Sequence, residues 1–121
     1  MHPDAVNQPD FLAKITYRTT EQGGRRTPAA SGYRPQVKFD FSEVQTSTSQ
    51  LFRDQETVAP GETVVAEMCM MGKDYFAGKL SVGMRFEVRE GARVTALGEI
   101  LEIFNKSLAV EQRHPPAATS K

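Results

Sequence analysis

The chain has 121 residues, of which 39% are hydrophobic and 25% charged, with 15 cations balanced by 15 anions. That composition suits one small globular domain with a single core, and a formal net charge of zero gives no global electrostatic reason to bind nucleic acid. The single cysteine, Cys69, excludes an internal disulfide, and no apolar run is long enough for a signal-peptide core or a membrane span, so the sequence reads as a soluble cytoplasmic protein with no membrane partner.

Residues 1–10 carry two prolines and no apolar period and are expected to form a flexible N-terminal tail. Phe11, Ala13, Ile15 and Tyr17 then alternate with Leu12, Lys14, Thr16 and Arg18, the period-2 pattern of a strand. After Pro35 the alternation returns, with Val37, Phe39 and Phe41 opposite Gln36, Lys38 and Asp40, and a more polar strand follows from Val44 to Leu51. Residues 52–57 read as a loop, and Pro60-Gly61 as a tight turn before a buried strand from Thr63 to Met71. Gly72 to Gly83 has three glycines and weak periodicity, so an irregular connection is expected. Met84, Phe86 and Val88 alternate with charged residues up to Glu90-Gly91, a hairpin turn into a long apolar strand from Arg93 to Phe104. Residues 106–121 contain adjacent prolines and no core face and are expected to be a flexible C-terminal tail, leaving 11–105 as the domain. Ile15, Val37, Phe39, Val64, Met68, Phe86, Val88 and Ile100 are the expected core.

Between the first two strands lies the run Gly23-Gly24-Arg25-Arg26-Thr27-Pro28, continued by Gly32-Tyr33-Arg34-Pro35-Gln36. Its glycines favour turns and its prolines fix φ and remove donors, so no helix passes through it and the arginines project from a shaped loop. The charge along the chain is uneven. From Lys14 to Lys38 six cations face Glu21 alone, and from Asp40 to Glu67 six acids face Arg53 alone. If folding keeps these segments apart, the domain has one basic face.

Six or seven short strands without a helical period point to an all-β barrel or sandwich, and a closed barrel removes exposed sheet edges. The Gly23–Pro28 and Gly32–Gln36 motifs, Pro60-Gly61-Glu62 and the run from Gly83 to Arg93 together resemble the C-terminal, third domain of bacterial translation elongation factor Tu. They occur in the family's order and near its spacings, over roughly Phe11 to Phe104, with extra residues around Met71 to Lys79. The resemblance implies a six-stranded antiparallel β-barrel. It covers neither the GTPase domain nor the second domain of the factor, and no Gly-x-x-x-x-Gly-Lys-[Ser/Thr] phosphate loop occurs in the chain, so GTP binding has no chemical basis here.

In the factor this barrel grips the T-stem backbone of aminoacyl-tRNA. The positions that match the family's RNA contacts are Arg25, Arg26, Arg34, Gln36, Arg89, Glu90 and Gly91. Guanidinium groups bridge phosphate oxygens, a glycine permits close backbone approach, and Gln36 and Glu90 suit ribose hydroxyls in the shallow minor groove of A-form RNA. Arg26 stands where the family usually has histidine, and Gln45 near a position where it has a threonine. The same arginines could equally form internal ion pairs of the barrel. Met68, Met70 and Met71 beside Cys69 read as core filling, so no metal is assigned, and His2 and His114 lie in the expected tails, far from any nucleophile. Neither catalysis nor a cofactor is supported. Two classes of function remain: a binding module for tRNA or tRNA-like RNA backbone in a translation-linked role, or a protein-interaction module, of decoy, regulatory or immunity type, that imitates the factor's third domain toward a translation-related partner.

Overall fold

The structure, a computed structural model, describes residues 8–110. Most of both expected tails, with His2 and His114, lies outside the described residues. Eight strands form in chain order: β1 (Phe11–Tyr17), β2 (Ala29–Ala30), β3 (Gln36–Phe39), β4 (Gln45–Phe52), β5 (Thr57–Val58), β6 (Thr63–Met70), β7 (Arg85–Glu90) and β8 (Arg93–Ile103). One helical turn, α1 (Lys73–Phe76), sits between β6 and β7. Six of the strands close a barrel in the order β1-β6-β4-β3-β7-β8, with every neighbour antiparallel. The two-residue strands β2 and β5 pair separately, Ala29 with Val58 and Ala30 with Thr57.

Strand alternation decides what fills the barrel. Ile15, Val37, Phe39, Val64, Met68, Phe86, Val88 and Ile100 are all buried, as the period-2 pattern requires. Phe86 meets Phe11 and Phe39 edge-on, with ring centroids 5.9 and 5.5 Å apart. Gly98 faces these rings, and a Cβ built on it would lie 2.2 Å from Phe86 Cζ, so the ring occupies the volume that a glycine leaves free. Burying each such side chain contributes about 1.5–3 kcal/mol.

Two bulges shape β8. The register against β7 shifts between Val88 and Arg89, which leaves Thr95 as an extra residue on β8 with its hydroxyl bonded to the Val88 carbonyl at 3.3 Å. The register against β1 shifts between Leu12 and Ala13, which leaves Leu101 unpaired.

Several features differ from the sequence expectations. Phe41, read as continuing the inward face of β3, lies beyond the strand end; it is exposed and stacks on Phe39 at 5.9 Å. The irregular connection contains α1, and its Phe76 and Leu80 are fully buried at the lower end of the barrel. Leu108, placed by its surroundings in a loose tail, is fully buried as well, and Leu80 and Ala109 form an isolated parallel bridge. Asp10 is buried too: its carboxylate accepts from Met70 N–H and from Asn105 Nδ2, both at 2.9 Å, and lies 3.7 Å from Lys73 Nζ. A carboxylate is tolerated at such depth because donors and a cation replace its water.

Candidate nucleic-acid interface

The end of the barrel opposite α1 is where β3 begins, β7 ends and the β7–β8 hairpin turns. The long connection from Arg18 to Pro35 folds over it. Thr19 caps a turn of 3-10 helix, Thr20–Gln22, through a reciprocal capping box with Gln22, and Gly23 ends the turn at φ 95°. Gly24 then passes so close to β1 that a Cβ would stand 2.4 Å from the Arg18 carbonyl oxygen, a spacing only glycine permits. Beyond β2, the chain bonds along β4: Gly32 N–H donates to Gln50 O at 2.7 Å, Gln50 N–H to Tyr33 O at 2.9 Å, and Thr48 N–H to Pro35 O at 2.9 Å. The arginines are thus carried by backbone anchored at both ends.

Arg25 is half-buried and heavily engaged. Its Nε donates to Thr27 O at 3.1 Å, Nη2 to Thr27 Oγ1 at 3.2 Å and to Pro28 O at 3.3 Å, and Nη1 forms an ion pair with Glu90. The guanidinium carbon lies 4.7 Å from the centroid of the Tyr33 ring, and the Tyr33 hydroxyl donates to the same Glu90 oxygen. Burial works to raise the Glu90 carboxyl, but the hydrogen bonds from Tyr33 and Arg25 and the charges of Arg25 and Arg93 prevail and hold it below the ordinary carboxylate value. Burial, then the bond to Glu90, pushes Tyr33 up to about 12. Beneath this cluster, Tyr17 donates to Gln50 Oε1 at 2.7 Å inside the barrel.

Gln36 and Arg89 are cross-strand partners on β3 and β7, and Arg89 Nε donates to Glu87 Oε1 at 2.9 Å two residues along the same face. Since successive strand residues face opposite ways, Arg89 lies on the outer wall, whereas Glu90 turns toward the barrel mouth. Gly91 sits at the exposed tip of the two-residue hairpin with φ 65°. Arg26 and Arg34 are exposed, and neither side chain has a hydrogen-bond or ion-pair partner among the described residues.

All seven residues named from sequence therefore lie around one end of the barrel, in three groups: the Arg25–Glu90 pair, the Gln36–Arg89 wall with the Gly91 tip beside it, and the two unpaired cations Arg26 and Arg34. Tyr33 was legible only as part of a motif; its role in joining Arg25 to Glu90 needs the fold. Arg93 is a further neighbour, with Nη1 3.4 Å from Gly24 O.

The family model of the elongation factor Tu C-terminal domain matches residues 5–104. The chain belongs to that family. The closed six-stranded antiparallel barrel agrees with it, and the match makes this a translation-factor-like domain of a non-catalytic β-barrel type.

Among the described residues no group of three or more His, Cys, Asp or Glu is placed to hold a metal ion. Burial pushes the Cys69 thiol up, away from a reactive thiolate. No helix among them is long and apolar enough to cross a membrane. The opposite end of the barrel shows exposed Phe41, Tyr75 and Val82, with Tyr75 within 3.0 Å of the Ser42 hydroxyl and under Lys79 at 4.4 Å.

Proposed function

We propose that this domain is a non-catalytic module that binds the sugar–phosphate backbone of tRNA-like RNA at the end of the barrel carrying the arginine-rich loop. The observation that carries the reading is the state of Arg26 and Arg34: two exposed guanidiniums without partners among the described residues, held on backbone tied to β1 and β4. Ions that already have partners gain little from a ligand, and free ones gain most. Arg89 and Gln36 extend the contact along the outer wall, and Gly91 allows a backbone to approach the hairpin tip. Family membership supports a translation-linked role.

Few phosphate contacts imply weak, steeply salt-dependent binding. The test is fluorescence anisotropy with an RNA hairpin of T-arm shape and a DNA duplex of equal length, at low and moderate salt. RNA is expected to bind more tightly than DNA, because an A-form minor groove displays hydroxyls that Gln36 can bond. Absence of RNA binding at low salt overturns the proposal and leaves a protein-interaction module, for which the exposed Phe41, Tyr75 and Val82 would be the first surface to mutate.

A further inference from the structure

We infer that residues 72–80 and 104–110 form a two-part lid on the lower end of the barrel, that this lid opens as one cooperative unit while the six-stranded barrel stays closed, and that the Asp10 carboxylate is its latch. This end lies opposite the arginine-rich loop, so nothing in the device depends on phosphate binding.

The two segments are bonded to each other rather than to the wall. Gly78 N–H donates to Ser107 O at 2.9 Å, Leu80 N–H to Leu108 O at 2.8 Å and Val110 N–H to Leu80 O at 2.8 Å. Among the described residues no backbone hydrogen bond runs from residues 73–80 or 106–110 to a barrel strand, whereas every strand of the closed barrel is bonded on both sides. Burial of Phe76, Leu80 and Leu108 therefore supplies most of what holds the lid down, with Phe76 edge-on to Phe39 at 5.5 Å. A seam of few apolar contacts without ladder bonds is where a domain opens locally. Gly72 at φ 67° and Gly83 at φ 91° bracket the first segment and give it ends at which the backbone can turn. Two short segments do not keep their mutual bonds once their apolar side leaves the core, so opening frees all their amides together.

Asp10 sits where both segments meet the barrel. Its N–H donates to Met68 O at 2.7 Å and its carboxylate accepts from Met70 N–H, which fixes it to β6. Toward the second segment its carbonyl accepts from Phe104 and Asn105 N–H at 2.9 and 3.0 Å, and its carboxylate accepts from Asn105 Nδ2. Asn105 passes this hold on: its Oδ1 accepts from Ser107 N–H at 3.2 Å and from Ser107 Oγ at 2.7 Å, capping the 3-10 turn Lys106–Leu108 that carries Leu108. Toward the first segment the carboxylate faces Lys73, an exposed cation that adds little. The buried bond to Asn105 is the stronger tie, because water cannot replace it while the lid is shut.

The test is residue-by-residue hydrogen exchange on the full chain, comparing wild type with Asp10→Asn and Asp10→Ala. In Asp10→Ala the amides of Gly78, Leu80, Leu108 and Val110 are expected to exchange faster by one common factor, roughly tenfold or more, as follows from losing bonds to a charged acceptor. Asp10→Asn, which keeps one acceptor oxygen, should fall between it and wild type. Gly32 and Gln50, bonded at the opposite end, should keep their wild-type rates. Unchanged lid amides in both variants would overturn the latch, and equal acceleration at Gly32 and Gln50 would show that Asp10 merely stabilises the whole domain. Should the variants fold poorly, exchange of wild type in low urea decides the matter: the four lid amides are expected to share one opening free energy below that of the barrel amides. A single value for lid and barrel, or different values for the two segments, would overturn the lid.

Discussion

Replacing Gly98 by alanine puts a methyl group where the structure has none to spare. The new Cβ would stand 2.2 Å from Phe86 Cζ, 2.4 Å from Cε1 and 2.8 Å from Cε2. Carbon atoms rest at about 3.5–4.0 Å, so the ring or the backbone must yield by roughly 1.3–1.8 Å. The backbone is poorly placed to yield, because Gly98 is paired on both sides, with Ile15 of β1 and Phe86 of β7. The ring is confined by Phe11 and Phe39. Overpacking of this kind costs about 1–3 kcal/mol, and with both neighbours fixed the upper end, ~3 kcal/mol, is expected. For a domain of this size that lowers Tm by roughly 12–24 °C. Urea unfolding of wild type, Gly98→Ala, Phe86→Leu and the double variant provides the check, since leucine lacks the ring atoms that collide with the methyl. The two changes should compensate, with the double variant more stable than the sum of the singles by about 1–3 kcal/mol. Additive losses would show that Phe86 does not fill the space over Gly98 as described.

Leu108→Ala should cost about 2–5 kcal/mol by urea unfolding, because Leu108 is fully buried with Phe76 and Leu80 in the same core; a loss under 0.5 kcal/mol would return this segment to the status of a dispensable tail. Stability should also depend on pH at both extremes. Glu90 has a lowered folded pKa, so its contribution is present above the ordinary 4.5 and is lost as pH falls through the folded value; Glu90→Gln should flatten the acid limb of a stability–pH curve. Tyr33 is raised from 10.0 to about 12, so its contribution is present below pH 10.0 and is lost as pH rises through about 12, and Tyr33→Phe should reduce that alkaline loss.

The barrel strands were readable because their inward residues are apolar and their outward ones polar, a contrast that period-2 counting detects. β4 was harder, since Thr46, Thr48 and Gln50 face inward and Ser47 and Ser49 outward, and polarity alone cannot choose between those faces. β2 and β5 are two residues each, too short for any period. Phe76, Leu80 and Leu108 are isolated apolar residues in glycine-rich or polar surroundings; what buries them is the closure of the lower barrel end by α1 and the segment after β8, which no local pattern announces. Asp10 misled for the opposite reason, a charged residue directly after Pro9 whose donors come from Met70 and Asn105, distant in sequence. At the candidate interface the residue types and their clustering were legible from the loop motifs. That Arg25 is neutralised by Glu90 while Arg26 is not depends on a pairing 65 residues apart.

The salt dependence of RNA binding bears most directly on the proposed role of Arg26 and Arg34. The T-arm-shaped hairpin is titrated with wild type and with the Arg26→Ala/Arg34→Ala double variant across a range of monovalent salt, and the slope of log affinity against log salt is compared. Two free guanidiniums that each neutralise a phosphate should make the wild-type slope steeper by roughly 1.4–1.8, two contacts' worth. Equal slopes for the two proteins, or no detectable complex with wild type at low salt, would contradict phosphate binding at this end of the barrel.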